Sequence, residues 1–162
     1  MLRDTLVGVV AGAVGTVALN VSTYADMAIR GRSSSSAPAK MIDTVADKVG
    51  LPLSSQGVSA NEQNQTAKNR ESGLGALLGY VNGLGTGMVY GLIRSQRDDV
   101  SLPLAALGVG LAAMATSDVP LIILGVSNPK QWGVSGWLED FIPHLIYGLA
   151  TVGTYEALTN ME

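Results

Sequence analysis

The sequence has no cysteine, which excludes disulfides, thiolate metal sites and cysteine nucleophiles. One histidine, His144, leaves no histidine-rich metal cluster. Charge is scarce too. Asp, Glu, Lys and Arg make up 14 % of the 162 residues, against about 25 % in soluble domains. The net charge is −3, so there is no basic field to attract nucleic acid. No G-x-x-x-x-G-K-S/T, H-E-x-x-H or G-x-S-x-G pattern occurs. The glycine-rich segments lie inside apolar runs rather than after a strand, so a phosphate-loop reading fails on context. No catalytic residue, metal ligand or cofactor is indicated.

What is present is apolar. Hydrophobic residues reach 47 %, mean hydropathy is +0.30, and most charges fall in a few gaps between uncharged runs. A bilayer core about 30 Å thick needs about 20 mostly apolar residues per helical span. Four segments qualify, at about 6–29, 74–93, 102–126 and 137–158. The expected fold is therefore all-α: one membrane domain of four transmembrane helices. Buried helices of a soluble protein are shorter and amphipathic, and four in so small a chain would leave too little polar surface. Arg3 and Ala11-Gly12-Ala13 resemble a cleavable signal, but the apolar run continues past that point.

The polar loop 30–73 begins with a flexible basic stretch, Arg30 to Ser36. Pro38 suits a first helical turn. Met41, Ile42, Val45, Ala46 and Val49 then fall on one face, and Gly50 and Pro52 end the segment. This predicts a short amphipathic helix on the membrane surface or on the bundle. Asn61 to Ser72 could extend the second span into solvent. Trp132 and Trp137 suit the headgroup interface. In a four-span chain, Arg3, Arg94 and Arg97 share one face, and the other seven Lys and Arg share the opposite face. The positive-inside rule then sets both termini outside the cytoplasm.

Gly75, Gly79, Gly83, Gly87 and Gly91 recur every four residues in the second span, and Gly8 and Gly12 repeat the spacing in the first. Residues four apart share a helical face. Small residues there let another backbone approach closely, as in glycine-zipper packing. The two stripes are expected to pair, although a second copy could also use them.

Asp118 is the sharpest candidate for a functional polar site. A charge at the centre of a span costs about 2.5–3.5 kcal/mol on insertion scales. Pro120 also leaves the Thr116 carbonyl without its helical partner. The blander reading is an Asp hydrogen-bonded for packing or close enough to the interface to reach water. His144 follows Pro143 and shares a face with Asp140 four residues earlier. Imidazole titrates near neutral pH, which would suit a pH-sensitive role. Pro143 fits a first turn if that helix begins near Asp140. Asn20, Thr23 and Asp26, spaced by three, make a polar edge to which Asn82 could hydrogen bond.

Three pieces resemble the YagU-like family of small bacterial inner-membrane proteins of unknown function. They are Gly8-Val9-Val10-Ala11-Gly12-Ala13-Val14-Gly15-Thr16, the stretch Gly79 to Gly91 ending Val89-Tyr90-Gly91, and Pro143-His144-Leu145-Ile146-Tyr147-Gly148. The resemblance implies a four-span protein of the bacterial plasma (inner) membrane and supplies no reaction. The leading expectation is a non-enzymatic accessory or structural membrane component. It would sit in the lipid bilayer as a homo-oligomer or with a larger membrane-protein partner. The alternative is an oligomeric channel or transporter for protons or small cations using Asp118. An intramembrane enzyme acting on a lipid-like substrate is a third reading.

Overall fold

The computed structural model describes residues 1–51, 53, 60–97 and 99–160. Among them are five α-helices, one 3-10 turn at Pro129–Gln131, and no strand. The helices are α1 (Leu2–Arg30), α2 (Ala37–Val49), α3 (Ala60–Arg94), α4 (Leu102–Ile123) and α5 (Gly133–Thr159). Three helical segments are long and apolar enough to cross a membrane: Leu2–Arg30, Asn61–Arg94 and Leu102–Ile123. α5 is 27 residues long, about 40 Å at 1.5 Å per residue. Its apolar stretch is interrupted by Pro143, His144, Tyr147, Thr151 and Tyr155, so it falls short of the apolarity of the other three spans.

The order around the bundle follows from the contacts. α1 lies between α3 and α5, α4 packs on α5 and more lightly on α3, and α2 lies on α3. Neighbours are antiparallel. Gly8 stands against Gly87 and Gly91, and Gly12 stands against Gly83 and Gly87. Gly110 on α4 meets the His144 backbone on α5, and Gly148 meets Ala106. Gly15 meets the Tyr147 ring. Two seams are thus made by backbone touching backbone, which only glycine permits. α1 and α2 each end where a glycine adopts a left-handed conformation, Gly31 at φ 66° and Gly50 at φ 69°.

The distribution of residue size is the reverse of a soluble core. The buried hydrophobics are mainly alanine, valine and tyrosine, including Ala11, Ala106, Val109, Ala113, Tyr147 and Tyr155. The large aliphatic side chains point outward: Val10, Val14, Val17 and Val21 along α1, Leu104, Leu107 and Leu111 along α4, and Leu138, Ile142 and Leu149 along α5. Apolar patches of that extent belong against lipid or another apolar surface, and small residues belong between membrane helices.

Several boundaries differ from the sequence reading. α3 runs without a break from the polar Ala60–Ser72 stretch into the apolar span. α4 stops at Ile123 rather than near Val126, because Gly125 turns the chain at φ 72°. α5 begins at Gly133, so Pro143 lies buried inside the helix rather than in its first turn. The Glu139 carbonyl therefore loses its usual donor. The predicted amphipathic helix is α2, docked with Pro38 against Gly75. The predicted stop at Pro52 lies outside the described residues. Trp132 and Trp137 meet with ring centroids 5.0 Å apart and planes tilted by 56°, and the Trp132 indole donates to the Ser127 hydroxyl at 3.0 Å.

Candidate functional site

The antiparallel register of α4 and α5 brings the charged groups of both helices together. Gly148 also approaches Gly110, so the residues two turns later on α4 come level with those two turns earlier on α5. The Asp118 carboxyl accordingly lies in the neighbourhood of Asp140, near enough for the two acidic groups to act on each other. His144 Nδ1 lies 2.8 Å from the Asp140 carbonyl oxygen and 3.3 Å from Asp140 Oδ1. Its Nε2 lies 3.4 Å from Ser117 Oγ. The Ser117 hydroxyl donates to the Ala113 carbonyl at 2.7 Å. Asn82 Nδ2 donates to Ser117 Oγ at 3.0 Å and to the Ala113 carbonyl at 3.1 Å. Three helices thus supply one connected polar cluster: Asn82 from α3, Ser117 and Asp118 from α4, and Asp140 and His144 from α5.

One atom in this cluster stands out. Asp140 Oδ2 is buried and has no hydrogen-bond partner. An acceptor left bare beside a second carboxyl is unfavourable. Neighbouring carboxyls are stabilised when they share a proton or when a cation lies between them. Among the described residues, no group of three or more His, Asp or Glu side chains is arranged to hold a metal ion. The prolines on both helices add to the polarity, since Pro120 and Pro143 free the carbonyls of Thr116 and Glu139.

The depth of the site is moderate. Asp118 is five residues from the end of α4, about 7.5 Å along the axis. It therefore lies nearer one face than the centre. That face carries the ion pairs of Asp26 with Arg30 and Arg32, and of Arg30 with Glu139. Glu139 also accepts from Ser135 Oγ at 2.8 Å.

From Asp140 a row of polar-tipped side chains continues along the inner side of α5: His144, Tyr147, Thr151 and Tyr155. The steps of four, three, four and four residues keep them on one face. Tyr147 is only 1 % exposed, and its hydroxyl donates to the Gly83 carbonyl at 2.6 Å. Thr151 is fully buried. Tyr155 donates to the Gly91 carbonyl at 3.4 Å and meets the Tyr90 ring edge-on at 5.2 Å. Beyond it, Arg94 Nε donates to Glu156 Oε1 at 2.7 Å, and Arg94 Nη1 donates to the Val100 carbonyl at 3.1 Å. The row lies between the charged groups at the two ends of the bundle, and the Thr151 hydroxyl in its middle is buried without a hydrogen-bond partner. The row also explains why α5 lacks an unbroken apolar stretch, although Leu138, Ile142 and Leu149 on its outer side are exposed.

The structure brings Asp118, His144 and Asn82 together and leaves Asn20 and Asp26 out. Asn20 is half-buried on α1, while Asp26 is engaged by the two arginines. The suggested bond from Asn82 to the α1 polar edge is not made. Adjacent residues on a helix point about 100° apart, so with Gly83 against α1, Asn82 is turned to α4. Among the predicted glycines, Gly75 packs on α2, whereas Gly79 faces open space. Sequence reasoning missed the meeting of Asp140 with Asp118 and the Tyr147–Thr151–Tyr155 continuation. The helical spacing of polar-tipped residues from 140 to 155 was the available signal.

In comparisons with known proteins, the chain matches no family model, no curated protein and no solved structure.

Proposed function

We propose that the chain is a non-enzymatic four-span membrane protein that takes up and passes protons or small cations through the Asp118–Asp140–His144 cluster. The observation that carries this reading is the buried, unpartnered Asp140 Oδ2 in a polar cluster that also holds Asp118. A shared proton or a small cation satisfies both carboxyls at once. His144 relays to Ser117 and Asn82, and the Tyr147–Thr151–Tyr155 row offers further hydroxyls toward Glu156 and Arg94. The path lies within one chain, so a pore between copies is not required. The apolar outer side of α5, with Leu138, Ile142 and Leu149 exposed, supports counting it as the fourth span. Kinship with the YagU-like proteins, a bacterial inner-membrane location and termini outside the cytoplasm belong to the same proposal.

A second reading keeps the chain as an accessory or structural component. It is favoured by the extent of outward-facing aliphatic side chains, which could seat a larger membrane protein. Proton flux into vesicles distinguishes the two. Purified protein is reconstituted, an inward proton gradient is imposed, and internal pH is followed with a trapped dye. Wild-type protein should admit protons faster than empty vesicles, and Asp118→Asn should return the rate to that background while the protein's size in detergent is unchanged. Flux of a monovalent cation is followed in parallel. Wild-type rates equal to empty vesicles for both would reject transport and leave the accessory reading.

A further inference from the structure

The seam between α3 and α4 is uneven. α2 lies on α3 and touches α4, with its start at Gly75, near one end of the seam. Toward the other end the helices part and leave an apolar groove of about 640 Å³. Its walls include Val81, Met88, Val89, Ile93 and Leu104. Added Cβ atoms at Gly85 and Gly108, which also line it, would meet nothing within 4 Å. From Val81 to Arg94 the groove follows α3 for thirteen residues, about 20 Å. A single leaflet's hydrocarbon is about 15 Å deep, so the groove spans from the headgroup level to near the midplane.

The ends of the groove differ in chemistry. Arg94 and Arg97 line the end at the membrane face, and among the described residues no acidic side chain lines the groove. The Arg94 guanidinium is held by Glu156 and the Val100 carbonyl at that end. Arg97 is exposed beside it. Two guanidinium groups at headgroup depth above an apolar channel of leaflet length match an anionic diacyl phospholipid, as basic pockets between membrane helices do. A second copy of the chain would have to insert a narrow apolar ridge with an acidic end. The exposed faces of α1, α4 and α5 are broad aliphatic surfaces instead.

We propose that the α3–α4 groove is a specific site for an anionic diacyl phospholipid, with one acyl chain along Gly85 and Gly108 and the phosphate at Arg94 and Arg97. The site shares Asn82 and Arg94 with the proton reading but does not depend on it.

Native mass spectrometry tests it, with the full chain in mild detergent titrated with phosphatidylglycerol or phosphatidylcholine. The expected result is one tightly retained phosphatidylglycerol, bound about fivefold or more over phosphatidylcholine, the ratio one arginine contact at the membrane surface gives. Arg97→Gln should remove that preference. Gly85→Leu with Gly108→Leu starts each side chain in open space and should abolish retention of either lipid, while circular dichroism and thermal stability stay at wild-type values. Equal retention of both lipids by the wild type, undiminished binding by the filled variant, or a dimer that the filled variant loses would each overturn the proposal. If the filled variant were misfolded, Arg97→Gln alone would decide: an unchanged preference would overturn it.

Discussion

Replacing Gly87 with alanine puts the α1–α3 seam to a direct test. A Cβ at Gly87 would lie 2.5 Å from Gly12 Cα, 2.5 Å from the Gly8 carbonyl oxygen and 2.7 Å from Gly12 N. All three are backbone atoms of a continuous helix, so no side-chain rotation relieves the clash. Carbon contacts are optimal at about 3.5–4.0 Å, so the helices must part by about 1 Å. A gap of that size forfeits about a quarter to a half of each neighbouring contact's attraction. In lipid no hydrophobic drive between helices replaces what is lost, because association rests on packing. Overpacking costs about 1–3 kcal/mol in well-packed sites, and Gly87→Ala should fall near the top of that range. Gly79 is the internal control. It belongs to the same four-residue stripe, yet nothing lies within 4 Å of its added Cβ. Gly79→Ala should be neutral, or stabilising by up to about 1 kcal/mol through helix propensity. Equilibrium unfolding in mixed micelles or bicelles reads both variants. Equal shifts for the two would refute the argument that backbone contact, rather than glycine content, holds the seam.

Two further outcomes are expected. Tyr147→Phe removes the 2.6 Å hydrogen bond to the Gly83 carbonyl without changing ring volume; it should cost about 0.5–1.5 kcal/mol in the same unfolding assay, and a cost near zero would mean that the hydroxyl is not engaged there. The lack of native cysteine makes topology easy to map: single cysteines at the exposed positions Ser33, Gln96, Gln131 and Asn160 are labelled with a membrane-impermeant reagent in intact cells. Four spans require Ser33 and Gln131 to share one face and Gln96 and Asn160 the other, whereas labelling of Gln131 and Asn160 from the same side would leave α5 uncrossed.

The helical character was legible because uncharged runs of about twenty residues have few alternatives. Boundaries were harder to read. Proline suggested where α5 should start, but the helix accommodates Pro143 in its interior, where it is buried. The glycine spacing showed which residues share a face and not which helix each would meet. Gly75 turned to α2 and Gly79 to open space, a matter of tertiary arrangement. For the site, Asp118 and His144 were visible one by one as unusual residues in apolar surroundings. Their meeting with Asp140 depends on the α4–α5 register, set by Gly110 and Gly148, glycines without a long periodic stripe to mark them. Asn82 went to α4 because of its angular offset from Gly83, a relation within reach of the sequence once Gly83 is assigned to α1.

The unbroken α3 has a mechanical consequence. Its apolar part, residues 74–93, is enough to cross a bilayer, and the fourteen residues before it continue the same helix for about 21 Å. That segment is a rigid rod fixed in rotational phase with the glycines of the bundle. Its surface is uncharged over short stretches, with Gln65 bonded to Asn69 at 3.0 Å one turn on. A body that gripped this rod outside the membrane and twisted it would turn Gly83 and Gly87 against α1 and swing Asn82 relative to Ser117. The rod is thus a shaft, able to deliver torque from the aqueous side to the polar cluster and to carry it back.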